Sequence, residues 1–542
     1  MPNASTLRRT LRRARRTSAA AAAGLALAGA AGVSACTDVT VNNPSAINSN
    51  TAFSDPGAYQ AFLAKLYANL AVSGPLGSGN SDIQGIDPGF AQYLRLLWQM
   101  QELPTEEAVI AWSEQTLQDL NRQTWSAPNN YSTTMYARIL SQATFASEFL
   151  RQTTDAQLAS RNVPAAQRAQ IQAYRAEARF LRALSYWHAI DIFGSVPLVT
   201  EATPIGGAAP AQASRTDLYN FVVSELTAIR DQLPAKTADT YGRATPAAAD
   251  MLLAKLYLNA AVYTGTAQYA SALAAVQRII SSGAYSLDPS YQHLFLADNN
   301  TSPELIFVVT QDGAHTQGFG GTTFIIHAAL GGALNDSAVT SFGVGGGWYG
   351  LRAKPELVAL FGADTTAGTD QRASMVYGNG QTLGIEDLTQ FPQGYMIRKY
   401  RNITSAGVPG SDQTYADTDY PMFRLGDAYL MYAEAFLRGG GGDQGTALGY
   451  VNALRTRVGA APITASQLTL PFILDERGRE LFWEGHRRTD LVRFGVFTGG
   501  TKLWTFKFGV PTGAASPASH DLYPIPANEL SANPSLKQNP GY

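Results

Sequence analysis

The sequence predicts a mainly α-helical fold, and three observations lead there. Apolar residues recur at helical spacing in paired blocks, each block is bounded by helix start or stop residues, and the β-like run, Leu305 to Thr310, is short. Thr245-Pro246 offers an N-cap with proline at the first helical position, and Ala249, Leu252, Leu253, Leu256, Ala260 and Tyr263 follow on one face. A second helix carries Tyr269, Leu273, Val276 and Ile280 and stops at Gly283, which makes a helical hairpin of roughly TPR size.

Taken from the N-terminus, residues 1–35 hold six arginines and no acid, followed by an apolar, Ala-rich stretch from Ala19 to Val33. That order of basic and apolar regions is the order of a secretory signal, and the stretch is too short to span a bilayer comfortably. It ends in Val33-Ser34-Ala35-Cys36, which resembles a bacterial lipobox, and Cys36 is the chain's one cysteine. Residues 1–35 are therefore expected to be a lipoprotein signal peptide and Cys36 the lipidated residue, with enough acyl chain for stable attachment to a membrane. A single cysteine also excludes an internal disulfide and a cysteine-based zinc site. Residues 36–55, rich in Asn, Ser and Thr, read as a polar tether with little to bury.

Residues 56–542 read as one domain. Its TPR-like helices lie near 171–283, where helices from about Ile171 to Phe193 and from about Thr216 to Leu233 form a further pair, and near 424–497. In the second region Leu425, Tyr429, Tyr432 and Phe436 precede the breaker Gly439 to Gly442, and Leu448, Val451, Leu454 and Val458 follow it. Residues 284–423 separate the regions as a loop-rich insertion with little β structure, rich in Gly and aromatics, where function tends to sit on a rigid scaffold.

Charge narrows the choice of partner. Without residues 1–35 the chain carries 34 basic against 42 acidic side chains, a net −8, and it has no basic stripe interleaved with aromatics. Phosphate backbones need the opposite balance, so nucleic acid is not an expected partner.

Four blocks carry a resemblance. Tyr174-Arg175-Ala176-Glu177-Ala178-Arg179-Phe180-Leu181-Arg182-Ala183, with Phe193-Gly194-Ser195-Val196-Pro197-Leu198, is the first, and Asp419-Tyr420-Pro421-Met422-Phe423-Arg424-Leu425-Gly426-Asp427 the second. The third runs from Glu476 to Arg493, and the fourth from Tyr523-Pro524-Ile525-Pro526 to Gln538-Asn539-Pro540-Gly541-Tyr542. In this order, behind a lipobox, they resemble the SusD/RagB family. The resemblance implies a SusD-like helical scaffold and a non-catalytic, surface-exposed lid that delivers nutrients to a SusC-like TonB-dependent transporter of the bacterial outer membrane. It implies an oligosaccharide ligand; a peptide, as in a RagB-like uptake subunit, or a purely protein-binding TPR-like scaffold are the competing readings.

Read from the residues alone, the third block is ion-paired scaffold, with Glu476, Glu480, Glu484 and Arg488 at i,i+4 on one helix face. Nothing is arranged for catalysis. The six histidines, His188, His293, His315, His327, His486 and His520, have no metal-ligand spacing, and the adjacent Glu106 and Glu107 have no opposed carboxylate in view. No catalytic residue, metal or cofactor is expected.

A protein that binds sugars without reacting needs flat apolar faces beside hydrogen-bonding groups. Two places qualify. Residues Glu102 to Glu114 resemble a family loop from which glycan contacts come, with Glu106 where the usual residue is Asp, and they offer Trp112, Ser113 and Glu114. The tract Phe342-Gly343-Val344-Gly345-Gly346-Gly347-Trp348-Tyr349-Gly350 spells G-x-G-x-x-G without the strand-to-helix setting of a phosphate loop, and is expected to be a mobile loop presenting Trp348 and Tyr349. For each of these aromatics, packing is the competing explanation.

Overall fold

The computed structural model describes residues 52–53, 55–332, 337–362 and 369–542; Cys36, the signal region and the tether through residue 51 lie outside them.

In the unit Pro56–Tyr542, helix α1 (Ala58–Ala71) and α2 (Tyr93–Glu102) precede the first long pair, α4 (Asn130–Gln152) and α5 (Ala165–Ile192), with α3 (Gln115–Arg122) between. Asn129 starts α4 by accepting from the amides of Tyr131 and Ser132. Helix α6 (Arg215–Ile229) packs on α5, and a 3-10 turn, Arg230–Gln232, carries the chain toward Pro234. The helix foreseen to Leu233 thus ends early, because the residue before a proline avoids helical geometry. Helix α7 (Pro246–Leu258) begins at the expected Thr245 cap and forms a hairpin with α8 (Tyr269–Ser281).

After the insertion, which includes α9 (Gly321–Ala328), come α10 (Leu425–Leu437) and α11 (Gln444–Arg457), then α12 (Leu470–Leu481) and α13 (Arg487–Arg493). Helix α8 packs against α10. The two helical regions, distant in sequence, therefore meet directly, and the insertion packs against them, with Arg372 paired to Glu476 and Glu480. Among the described residues no helix is long and apolar enough to cross a membrane.

Among the described residues the strands are short and pair antiparallel in three two-stranded ladders: β1 (Ala108–Ile110) with β3 (Leu351–Ala353), β2 (Leu305–Val309) with β6 (Tyr420–Arg424), and β4 (Val376–Tyr377) with β5 (Met396–Ile397). The β2–β6 ladder is fully buried and shifts register around Phe307.

The third motif block needs one correction. Glu476 and Glu480 lie on α12, but that helix stops at Leu481, and Glu484 and Arg488 are not on its face. Trp483, with φ of 62°, turns the chain so that its indole enters the core edge-on to Trp98, and Gly485 completes the turn at φ 73°. The ion pairing itself is present. The buried Glu480 carboxylate accepts from Arg424 and Arg372 at 2.8 Å each and also from Arg457. Glu304, at the head of β2, accepts from Arg424 at 2.9 Å and Arg457 at 2.6 Å. Glu484, freed from the helix, reaches Arg424 at 2.7 Å and Lys399 at 2.6 Å. These charges lie out of water, so each is stabilised only while its partners remain.

Candidate functional site

The β1–β3 ladder brings the two sequence candidates together. Ala108, Val109 and Ile110 face Ala353, Arg352 and Leu351, and the amide of Ala111 extends the ladder to the carbonyl of Gly350 at 2.9 Å. One residue further along each strand sit Trp112 and Tyr349, with Trp348 beyond. Val109 anchors the ladder in an apolar cluster with Ile385, Leu388 and Phe506.

Trp112 is held on several sides. Its indole N–H donates to the Trp348 carbonyl at 2.9 Å, and its own carbonyl accepts from the Gln118 side chain at 2.7 Å. Phe324 meets its ring edge-on, and the Arg95 guanidinium lies 5.4 Å from its centroid and 4.4 Å from that of Phe324. Arg95 is fixed in turn by the carbonyls of Gly89 and Phe319. Burial pulls its pKa down to about 10, which leaves it charged at neutral pH. Ser113 and Glu114 are exposed beside Trp112, and a Glu114 carboxylate oxygen accepts from the Tyr131 hydroxyl at 2.5 Å.

Trp348 is half-buried. Its ring stacks on His327 with centroids 4.7 Å apart and planes 16° apart, and Phe319 meets it edge-on at 6.1 Å. The His327 Nδ1 donates to the Gly346 carbonyl at 2.7 Å. Burial lowers the His327 pKa, so a neutral imidazole supports the indole. Tyr349 is 52% exposed, with its backbone at φ 53° and its ring edge-on to Phe391.

The glycine tract is not a mobile loop. The amides of Gly345, Gly347, Trp348, Tyr349 and Gly350 donate to the carbonyls of Gln413, Gly332, His327, Leu330 and Ala328. The glycines serve close approach: a Cβ on Gly347 would sit 2.3 Å from the Leu330 carbonyl oxygen, and one on Gly350 3.0 Å from the Trp112 ring. The backbone is pinned so that the aromatic faces hold fixed positions.

The neighbouring carboxylates Glu102, Glu106 and Glu107 are buried. Glu106 is buried against Arg487 and Lys502, at 2.6 and 2.7 Å; burial would raise its pKa, but the two cations outweigh it and hold the carboxyl at about 2. An opposed carboxyl does exist for Glu107, contrary to the sequence reading: Glu102, one helical end away, shares a hydrogen bond with it. Burial and this mutual repulsion push the Glu102 pKa well up, and burial takes Glu107 to about 7. Both are sealed beneath Trp483 and Gly485, whose amides donate to Glu107 and Glu102, so neither meets a substrate. Of the histidines, His188 and His486 are held to about 3 by burial and are neutral in the core.

Arg95, His327, Phe319, Phe324 and Phe391 support the site yet escaped sequence reasoning. Nothing local marks them; the tertiary fold places Arg95 and Phe324 against Trp112, His327 and Phe319 against Trp348, and Phe391 against Tyr349.

Comparisons with known proteins agree on one group. The model of the SusD family matches residues 345–542. The starch-binding protein SusD of Bacteroides thetaiotaomicron is 33% identical over 533 residues, covering 89% of this chain and 92% of its own. SusD-like protein P25 of Formosa agariphila is 26% identical over 405 residues, covering 67% of this chain and 71% of its own. Among solved structures, surface glycan-binding protein A from Bacteroides uniformis superposes with a TM-score of 0.69 at 22% identity, covering 90% of this chain and 99% of that one. A laminarin-binding SusD-like protein gives 0.67 at 23%, covering 89% and 99%. These two likenesses bear on the fold.

Proposed function

The chain belongs to the SusD family, and on that premise we propose that it captures oligosaccharides at the cell surface, unaltered, for uptake. The observation that carries this reading is the juxtaposition of half-buried Trp112 and Trp348 with exposed Tyr349 at the end of the β1–β3 ladder. Sugar rings present apolar C–H faces bordered by hydroxyls; rigid aromatic faces take the first, and the exposed Ser113 and Glu114 are placed to bond the second. The descriptions of relatives as starch-binding and laminarin-binding support a glycan over a peptide. The locked carboxylates support capture over hydrolysis.

In this proposal Cys36 carries the lipid that holds the protein on the outer membrane, and the helical stack docks as a lid on a SusC-like TonB-dependent transporter. Native purification in mild detergent from cells grown on a glycan should bring down a barrel protein with this chain. Titration calorimetry with maltoheptaose and laminarihexaose should show saturable binding without product. Repeated recovery of the chain alone would remove the transporter from the proposal, and a folded protein indifferent to both glycans would remove the ligand.

A further inference from the structure

A second concavity lies apart from the aromatic platform. It is bounded by α1, by the chain from Asp239 to Arg243 and by the end of β2, measures about 420 Å³, and shares no lining residue with Trp112, Trp348 or Tyr349. That volume falls within the range of small-molecule sites.

Its walls are fixed. Tyr67 donates its hydroxyl to Glu177 at 2.7 Å and accepts from the Ala244 amide at 2.9 Å; Tyr241 donates to Asp419 at 2.5 Å. Gly242, at φ 75°, brings its turn so close to Thr310 that a Cβ would lie 2.6 Å from the threonine methyl, which seats Tyr241 at the rim. With Tyr174, three aromatic rings line the cleft. Their position owes nothing to a ligand.

The charges select what enters. Arg243 is engaged by the buried Glu177 through Nε, at 3.0 Å, and Nη2, so the pair is neutral together. Asp239 is left as an exposed carboxylate at the lining, and no lysine lines the cleft. An anion is repelled, and a cation finds one solvated carboxylate. Among the described residues the side chains of Gln60, Asp239 and Thr310 have no hydrogen-bond partner, so an amide, a carboxylate and a hydroxyl are available beside aromatic walls. Tyrosine rings beside an amide, a hydroxyl and one accepting carboxylate suit a neutral, hydroxyl-rich ring.

We infer that this cleft is a second carbohydrate subsite, sized for a mono- or disaccharide unit and independent of the Trp112–Trp348 platform. The inference takes its ligand class in part from the glycan-capture reading, but its location rests on the cleft alone. The loop after β2 gives Thr310 and Thr316 to the cleft and Phe319 to the flank of Trp348, so one segment borders both places.

The test is calorimetric titration of the full chain with maltotriose and laminaritriose, comparing wild type, Trp348→Ala, Ala64→Phe and the double variant. Ala64 is exposed on α1 and lines the cleft, so a phenylalanine there fills it without removing a core contact. Gln60→Ala, also exposed, is the milder variant should Ala64→Phe fail to fold. Wild type should show two binding events: Trp348→Ala weakens one about fivefold and leaves the other, Ala64→Phe weakens that other at least tenfold and Gln60→Ala several-fold, and the double variant shows both losses. The inference is overturned if all binding weakens together in Trp348→Ala with no separate event left unchanged, or if Ala64→Phe, folded, titrates like wild type. Unchanged binding in Trp348→Ala with full loss in Ala64→Phe would keep the cleft and reject the platform, whereas silence of every protein toward both sugars would reject both.

Discussion

The indole N–H of Trp112 bonds the main-chain carbonyl of Trp348, a contact between residues 236 positions apart. It makes the two aromatics one unit, because moving either strand of the β1–β3 ladder moves both rings. Trp348→Ala removes a stacking face worth on the order of 1 kcal/mol and should weaken glycan binding about fivefold. Trp112→Phe keeps a ring but loses the bond to Trp348, and should cost less than Trp112→Ala. Calorimetry beside thermal melts checks this; a large fall in melting temperature with unchanged affinity would mean that the indoles serve packing alone.

Gly347 tests whether the pinned tract positions the platform. A methyl group there meets main-chain atoms of Leu330 at 2.3 and 2.4 Å, and neither can rotate away. Gly347→Ala should therefore destabilise the chain by about 1–3 kcal/mol and weaken glycan binding as well. Urea unfolding and titration of the same variant decide it, and wild-type values for both would return the tract to the status of a mobile loop.

Glu480 sits among Arg372, Arg424 and Arg457, all buried. Removing it strands three cations with fewer partners in a dry core, so Glu480→Ala should destabilise by about 3–5 kcal/mol, the range for breaking one side of a buried pair. Denaturant unfolding measures this. A loss below about 1 kcal/mol, the worth of a surface pair, would show that water reaches the network.

The Glu102–Glu107 pair should make stability depend on pH. Burial raises both folded-state pKa values above the ordinary carboxylate range, Glu107 to about 7. Between the unfolded pKa and the folded one the folded state binds more protons, so this contribution is fully present below the unfolded value and is lost as pH rises through about 7. Glu107→Gln removes that loss. The variant's stability relative to wild type should improve from pH 5 to pH 8, and parallel slopes across this range in both proteins would contradict the assignment.

Cys36→Ala should abolish acylation and release the chain from the membrane fraction. Metabolic labelling with a fatty-acid analogue reads this directly, and label retained in the variant would place the anchor elsewhere.

How much of this was legible in the sequence differs from residue to residue. The Thr245-Pro246 helix start and the pairing of 246–258 with 269–281 are written locally: a cap acts within one turn, and apolar periodicity acts along one face. The aromatics Trp112 and Trp348 were also visible as candidates, one by family resemblance and one by its setting among glycines. Their contact was not. The same glycines that suggested freedom are the means of close backbone packing, and glycine serves both ends equally in sequence.

The sequence by itself determined the helical blocks, the acidic charge balance, and the four motif blocks, since each depends on residue type and short-range spacing. Tertiary structure alone decided that Trp483 breaks the run from Glu476 to Arg488, that Glu102 faces Glu107, and that Trp112 meets Trp348. Each of these is a choice between burying a side chain and continuing a local pattern, and it is settled by what a distant part of the chain supplies: the Trp98 ring for Trp483, the amides of Trp483 and Gly485 for the carboxyl pair, and strand β3 for Trp112.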